Sequence, residues 1–249
     1  MDAAQIIRDA VARVALLRQV HAADPALGAA VHAVKVFQAR RFASTYADLL
    51  DGGTYRDAAR FFLDELYGSQ DYTERDAQFA RIAGALQTLF PHQVVETAVS
   101  LARLHALTEE LDHAMGMAWS PETAGTPPAT EGIRYAMAWQ TVGQRASRER
   151  QLEEVQELGR ELARLTRFPG LRTMLRMMRT PAHAAGLASL QVFLESGFDT
   201  FSGMARQRRG VDVFLSLIQE RESALITRLC DGDPVTCGTE LDDLLGQAR

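Results

Sequence analysis

Apolar residues recur every three or four positions over most of the chain, which is the spacing of one face of an α-helix. Val211, Phe214, Leu215 and Ile218 show it clearly. The pattern predicts helices at residues 2–20, 26–50, 55–67, 72–90, 92–118, 132–144, 145–167, 170–179, 181–205 and 210–229, with a short last helix from Thr239. No alternating run rich in Val, Ile and Thr predicts a strand. We therefore expect an all-α fold, a compact bundle of roughly nine to eleven helices.

One segment interrupts the helical pattern near the middle of the chain. Residues 120–132 are rich in Pro, Gly and Thr, a composition typical of a loop. We expect this loop to separate two helical halves of a single domain that spans residues 1–249.

A sharp corner is predicted at residues 61–76. Gly68 should end the first helix, because Gly adopts the left-handed cap conformation without a Cβ clash. Asp71 should begin the second helix by accepting free backbone N–H groups, and Glu74 should complete a capping-box pair.

Arg75 and Asp76 have no such capping role in this corner. Arg75 is placed to contact Asp64 or Glu65 across the turn. We interpret the corner as a clasp between two helices, and the alternative is a functional surface.

Three stretches of the chain resemble a known family. They are FFLDELYGSQDYTERD from Phe61, LARLHALTEELD from Leu101 and GLASLQVFLESGF from Gly186. The patterns FFLxELYGxxDYxxRD and GLxxLQxFLExGF are similar to those of an uncharacterised family of proteobacterial all-helical proteins. The resemblance implies a helical fold and a bacterial source, and it implies no activity.

The composition is that of an ordinary globular protein, with 47% hydrophobic and 24% charged residues. A formal net charge of −5 does not favour nucleic-acid binding. No apolar run approaches the about 18 residues of a membrane span, so we expect none. Lys35 is the one lysine among 27 basic residues, a bias typical of a GC-rich bacterial genome.

The first helix and the cysteines lead to expectations about the location and assembly of the protein. The charged, amphipathic first helix is not a secretory signal, so we expect a cytoplasmic protein. Cys230 and Cys237 flank a short segment and should be reduced there, although a small-loop disulfide is an alternative. A homo-oligomer is compatible with the sequence.

The segment from Leu101 to Met115 carries the most chemistry. His105 precedes Glu109 by four residues and His113 by eight, about 6 Å and 12 Å along a helix. The two histidines are too far apart to share a metal ion, and no second Glu-x-x-His motif completes a di-iron site. No metal ligand set is therefore predicted.

His105, Thr108 and Asp112 project on or beside the apolar face of this predicted helix, with Glu109 next to them. Buried polar groups must be hydrogen-bonded, at a cost of about 1–3 kcal/mol each if they are not. The four residues therefore form either a satisfied polar patch inside the bundle, with Thr108 bonded to its own turn, or the wall of a small-molecule pocket.

A basic cluster lies later in the chain. Arg172, Arg176 and Arg179 share one helical face. They form either a patch for an anion, a membrane surface or an acidic partner, or ion pairs with the glutamates of the preceding helix, such as Glu157.

The sequence lacks the standard nucleophile, phosphate-binding and dinucleotide motifs. We expect a non-enzymatic helical module that binds a protein partner or a small molecule, without a resident cofactor. The alternative is a small-molecule, haem or metal-dependent enzyme or sensor that uses the His105 helix.

Overall fold

A computed structural model describes residues 2–65, 70–119, 129–207 and 209–247. Within them the chain forms thirteen α-helices and no strand, and eleven of the helices have seven residues or more. This confirms the all-α prediction with a helix count slightly above the expected range. The helices are α1 Ala3–Ala23, α2 Pro25–Thr45, α3 Ala47–Leu50, α4 Arg56–Glu65, α5 Thr73–Leu89, α6 His92–Ala118, α7 Glu131–Val142, α8 Arg145–Leu165, α9 Leu171–Met177, α10 Arg179–Ala184, α11 Ala188–Ala205, α12 Gly210–Asp231 and α13 Pro234–Gln247.

Two predicted helices are each divided in the structure. The helix expected at 26–50 breaks at Tyr46, whose φ of −114° and ψ of 22° leave the helical region. The helix expected at 181–205 divides into α10 and α11, because Gly186 adopts a φ of 67° that favours glycine. α10 begins at Arg179, two residues before the expected start at 181.

The last helix is longer than expected. It begins at Pro234 rather than at Thr239. Asp233 accepts a hydrogen bond from the backbone N–H of Thr236 at 2.8 Å, and Pro234 occupies the first helical position. Both are ordinary helix-start signals, and the sequence-based boundary overlooked them.

The corner between α4 and α5 contains the expected ion pair. Arg75 Nη1 lies 2.8 Å from Glu65 Oε2. Asp71 accepts from the backbone N–H of Thr73, but Glu74 bonds Gln78 instead of completing a capping box. The predicted helix end at Gly68 lies outside the described residues.

One contiguous apolar core reaches from Ala4 to Leu241 and includes side chains from both sides of residues 120–128. Phe37 of α2 stacks on Tyr135 of α7, with ring centroids 4.6 Å apart. The predicted loop at 120–132 is described only from residue 129, and its last two residues already belong to α7.

α6 is the central element of the packing. It contacts α1 and α2 on one side and α7 and α8 on the other. α12 packs along α8, α13 packs along α7, and α11 crosses α4, α5 and α8. Among the described helices, none combines the length and the apolar character that crossing a membrane requires.

α7 and α13 approach each other through glycine. A Cβ at Gly238 would overlap the backbone of Ile133, whereas a Cβ at Gly246 on the same helix would meet nothing within 4 Å. We expect Gly238→Ala to lower the free energy of unfolding by about 1–3 kcal/mol, because the two helices must separate. Gly246→Ala should be neutral or slightly stabilising. Urea unfolding of both variants checks this, and equal midpoints would contradict it.

Candidate functional site

The four residues singled out on the His105 helix line one cavity. His105, Thr108, Glu109 and Asp112 all face it from α6, and its volume is about 110 Å³. We call this space the polar cavity. Its other charged or hydrogen-bonding lining residues are Lys35, Gln38, Arg41, Glu65, Tyr72, Arg75, Asp76, Tyr135, Trp139, Arg148, Gln151 and Glu222.

His105 is held by a residue of α5. Its Nε2 lies 2.9 Å from Oδ2 of Asp76, which also accepts from Arg18 of α1 at 2.6 Å. Asp76 is only 4% exposed, so this carboxylate joins three helices in the interior. Burial alone raises the pKa of Asp76, but its bonds to His105 and Arg18 outweigh burial and the pKa lies below the ordinary value.

Glu109 and Asp112 meet the one lysine of the chain. Lys35 Nζ lies 2.6 Å from Glu109 Oε1 and 4.0 Å from Asp112 Oδ2. Asp112 also accepts from Gln38 at 3.1 Å. Burial raises the pKa of Asp112 above the ordinary value, and the nearby Glu109 carboxylate adds to the shift.

Thr108 does not bond back to its own turn. Its Oγ1 accepts a hydrogen bond from Nε2 of Gln151 on α8 at 2.8 Å. The hydroxyl therefore links α6 to α8 at the cavity wall, and the local bond expected from the sequence is wrong.

A second buried ion pair forms another part of the wall of the polar cavity. Arg41 Nη1 of α2 lies 2.5 Å from Glu222 Oε1 of α12, and the hydroxyl of Tyr46 donates to the same oxygen at 2.9 Å. Removing one partner of such a pair typically costs about 3–5 kcal/mol, because the other charge is left buried alone.

Arg148 of α8 has no carboxylate in ion-pair contact among the described residues, unlike the other cations that line the cavity. It is 5% exposed, and its guanidinium carbon lies 4.3 Å from the ring centroid of Trp139. Its buried Nη2 has no hydrogen-bond partner in the described part of the chain. Nothing in the sequence distinguishes Arg148 from the other charged residues of α8.

The remaining charges of the polar cavity are paired. Lys35, Arg41 and Arg75 each have a carboxylate partner, and Asp76 is paired with Arg18. Arg148 acts on Asp112 only through its charge, without an ion-pair contact. Among the described residues, Arg148 is therefore the one cation of the cavity that no carboxylate contacts directly, and its buried Nη2 has no hydrogen-bond partner there.

The described residues of this site are not arranged to hold a metal ion or a haem. Among the described residues, no group of three His, Cys, Asp or Glu side chains is arranged to hold a metal ion. His105 Nε2 faces Asp76, and a cavity of about 110 Å³ is too small for a porphyrin. His113 points elsewhere and stacks on His21, with Nδ1 and Nε2 3.0 Å apart.

Two of the three arginines of the basic cluster form ion pairs within the fold. Arg172 pairs with Asp199 at 2.8 Å, and Arg179 forms two-pronged bonds to Glu195. Both acids lie on α11, so the expected glutamates of the preceding helix are not the partners. Arg176 lies near enough to Glu195 to lower the pKa of that carboxyl, after the larger effects of Arg179, burial and Gln191.

The two cysteines are free thiols with separate contacts. Cys237 is buried and donates to the carbonyl of Arg228 at 3.3 Å, while Cys230 accepts from the indole N–H of Trp139 at 3.4 Å.

The fold and the site define an all-α protein whose central helices enclose a small cavity walled by paired charges. The chain belongs to the family described as "Domain of unknown function (DUF8198)", whose model matches residues 17–236. The match includes every residue that lines the polar cavity except Val11. It agrees with the resemblance to an uncharacterised family. No curated protein and no solved structure matches the chain.

Asp76 and Asp112 should give opposite pH dependences. The lowered pKa of Asp76 means that its carboxylate stabilises the fold above the ordinary carboxyl pKa of about 4 and loses this effect as the pH falls. The raised pKa of Asp112 means that stability is lost as the pH rises through its folded value.

We therefore expect the stability advantage of the wild type over Asp76→Asn to grow between about pH 3 and pH 7, reaching about 1.5–3 kcal/mol. Over the same range the wild type should lose stability relative to Asp112→Asn. Urea unfolding at several pH values measures both differences, and parallel curves for the two variants would contradict the assignment.

His105→Ala should lower the free energy of unfolding by about 1–3 kcal/mol, because the buried carboxylate of Asp76 loses one of its two side-chain hydrogen bonds. His92→Ala is the control, since that side chain is 83% exposed and pairs only with Glu96 at the surface. Thermal melts compare the two variants. A wild-type melting temperature for His105→Ala would show that the bond to Asp76 contributes nothing.

Proposed function

We propose that the chain is a non-enzymatic ligand-binding protein, and that its polar cavity holds the anionic group of a small organic molecule against Arg148. The single observation that carries this proposal is the buried Nη2 of Arg148, which has no hydrogen-bond partner among the described residues. A guanidinium presents parallel N–H donors that match a carboxylate, so an acid is the ligand chemistry it favours.

Burying Arg148 without an ion-pair partner costs free energy. A buried charge costs several kcal/mol, the contact with the Trp139 ring recovers only about 1–2 kcal/mol, and Asp112 acts on Arg148 without an ion-pair contact. A bound carboxylate would supply the missing charge and hydrogen bonds. The other cations lining the cavity do not compete for it, because Lys35, Arg41 and Arg75 already have carboxylates.

The surrounding side chains support recognition of a small acid. Gln151 and Thr108 are neutral, bonded to each other and next to Arg148 on the cavity wall. Asp112, the nearby acid, has a pKa above the ordinary value because burial disfavours its charged form. The site thus combines one available cation with polar groups held in place by neighbouring helices.

A second candidate function rests on the His105–Asp76 pair. A histidine hydrogen-bonded to a buried carboxylate is the arrangement of a general base, and His105 lines the same cavity. In that case the bound acid would be a substrate. His105→Gln would then abolish its conversion without preventing its binding, whereas a binding protein leaves the acid unchanged.

The biological setting is part of the proposal. The resemblance to proteobacterial proteins, the near absence of lysine and the free thiols support a bacterial cytoplasmic protein. We place any protein partner or second copy outside the polar cavity, because that cavity is too small for more than a small ligand.

Arg148→Met tests the proposed function. With benzoate, glutarate and phosphate as probes, we expect the fluorescence of Trp139 to report binding of at least one carboxylate to the wild type. Arg148→Met should weaken that binding about tenfold or more, since hydrogen bonds to charged groups contribute about 1.5–3 kcal/mol. The variant itself should be as stable as the wild type or more so, because the unpaired buried charge is gone.

Arg145→Met is the matched control on the same helix. Arg145 is exposed, pairs with Glu149 and Asp231, and does not line the cavity. It should leave binding unchanged. No binding of any of the three probes, or equal binding to Arg148→Met, would overturn the proposal.

A further inference from the structure

A second, apolar cavity adjoins the first. It has a volume of about 250 Å³ and lies among α4, α5, α6, α8, α9, α10 and α11. We call it the apolar cavity. Among its lining residues only Thr97 and Gln191 carry polar side chains, and both are hydrogen-bonded to neighbouring carbonyls. Its remaining lining is aliphatic or aromatic, so the space is suited to hydrocarbon rather than to water.

The two cavities share part of their walls. Five side chains line both of them, namely Phe79, Leu101, Val155, Leu190 and Phe193. These are all apolar groups with rotatable side chains and no side-chain hydrogen bonds to break. A ligand that crosses from one cavity to the other therefore displaces mainly apolar contacts, apart from the guanidinium of Arg75, whose carbon lies 4.6 Å from the centroid of the Phe193 ring.

α8 runs along both cavities, and the side chains with which it lines them change from polar to apolar along its length. Arg148 and Gln151 face the polar cavity, Val155 borders both, and Leu158 and Leu162 face the apolar cavity. At 1.5 Å rise per residue, Arg148 and Leu162 are about 21 Å apart along the helix axis. One end of this path offers an available cation and the other offers hydrocarbon.

We propose that the ligand is a long-chain carboxylic acid, with its carboxylate on Arg148 and its alkyl chain in the apolar cavity. This inference rests on the proposed function and names the class of acid. The charge requirement comes from Arg148, and the apolar requirement comes independently from the second cavity. A short acid would leave the apolar cavity unfilled, and an uncharged hydrocarbon would leave Arg148 without a partner.

The dimensions indicate a chain of more than about eight carbons. A methylene has nearly the volume of a water molecule, about 30 Å³, so the apolar cavity holds roughly eight of them. Further carbons must bridge the shared wall toward Arg148, whose position is about 10 Å along α8 from Val155. The cavity also exceeds the roughly 150 Å³ of engineered apolar cavities that take up benzene.

The apolar cavity reaches the surface near the end of α5. Leu89 lines it while 73% exposed, and Met178 lines it while 37% exposed. With the carboxylate on Arg148, this opening leaves room for the far end of the alkyl chain to extend toward the surface.

The test is calorimetric titration of the full chain with octanoate, dodecanoate, dodecan-1-ol and benzoate. We expect dodecanoate to bind the wild type about tenfold or more tightly than octanoate, within a ceiling of about fourfold per buried methylene. We also expect dodecanoate to bind about tenfold or more tightly than dodecan-1-ol. Arg148→Met should remove that preference for the acid.

Ala98→Phe separates the two cavities experimentally. Ala98 is half-buried and lines only the apolar cavity, so a ring there occupies the space of the alkyl chain. The variant should weaken dodecanoate binding about tenfold or more and leave benzoate binding unchanged.

The outcomes distinguish this inference from the function on which it rests. Binding of benzoate that depends on Arg148, with no gain from octanoate to dodecanoate, would overturn the long-chain ligand and keep the binding protein. Equal affinity of the wild type for dodecanoate and dodecan-1-ol would also overturn it. This comparison uses only the wild-type protein, so it does not depend on whether a variant folds. Failure of every carboxylate to bind would overturn both proposals.

Discussion

Burial of charge is the constraint on which the rest of this structure depends. Asp76, Glu109, Glu222 and Arg41 are each at most 6% exposed, and a buried charge is tolerated only with a partner. Every one of these partnerships joins different helices, from α1 and α5 to α2 and α12. The same ion pairs therefore fix how the helices meet around α6 and form the walls of the polar cavity.

Arg148 stands apart from this arrangement, and its position explains why the cavity is a candidate site rather than a packed polar core. A fully paired network contributes specificity to a fold without leaving any capacity for a ligand. Here one guanidinium lies on Trp139 with a buried N–H unused by the described residues. Proteins commonly retain such locally unfavourable groups where a ligand completes them, at a cost in stability of the free form.

Together with the neighbouring apolar cavity, the site has one polar end and one apolar end. α8 changes from Arg148 and Gln151 to Leu158 and Leu162 along one face, so its polarity falls steadily from one cavity to the next. The short helices α9 and α10 border this space, and so does α11, on which Gly197 packs closely against Phe61 of α4. A molecule with one charged end and one hydrocarbon end fits this gradient better than a purely polar one.

The sequence by itself determined the helical class, the approximate helix limits and the cluster on α6, because these depend on periodicity within one segment. His105, Thr108, Glu109 and Asp112 share a helix face at fixed spacing, and all four line the cavity. The partners of that cluster, Asp76, Lys35 and Gln151, come from three other helices, and only tertiary packing decides such pairings. The role of Arg148 was likewise invisible in the chain, since the availability of a guanidinium depends on which carboxylates the folded helices bring near it.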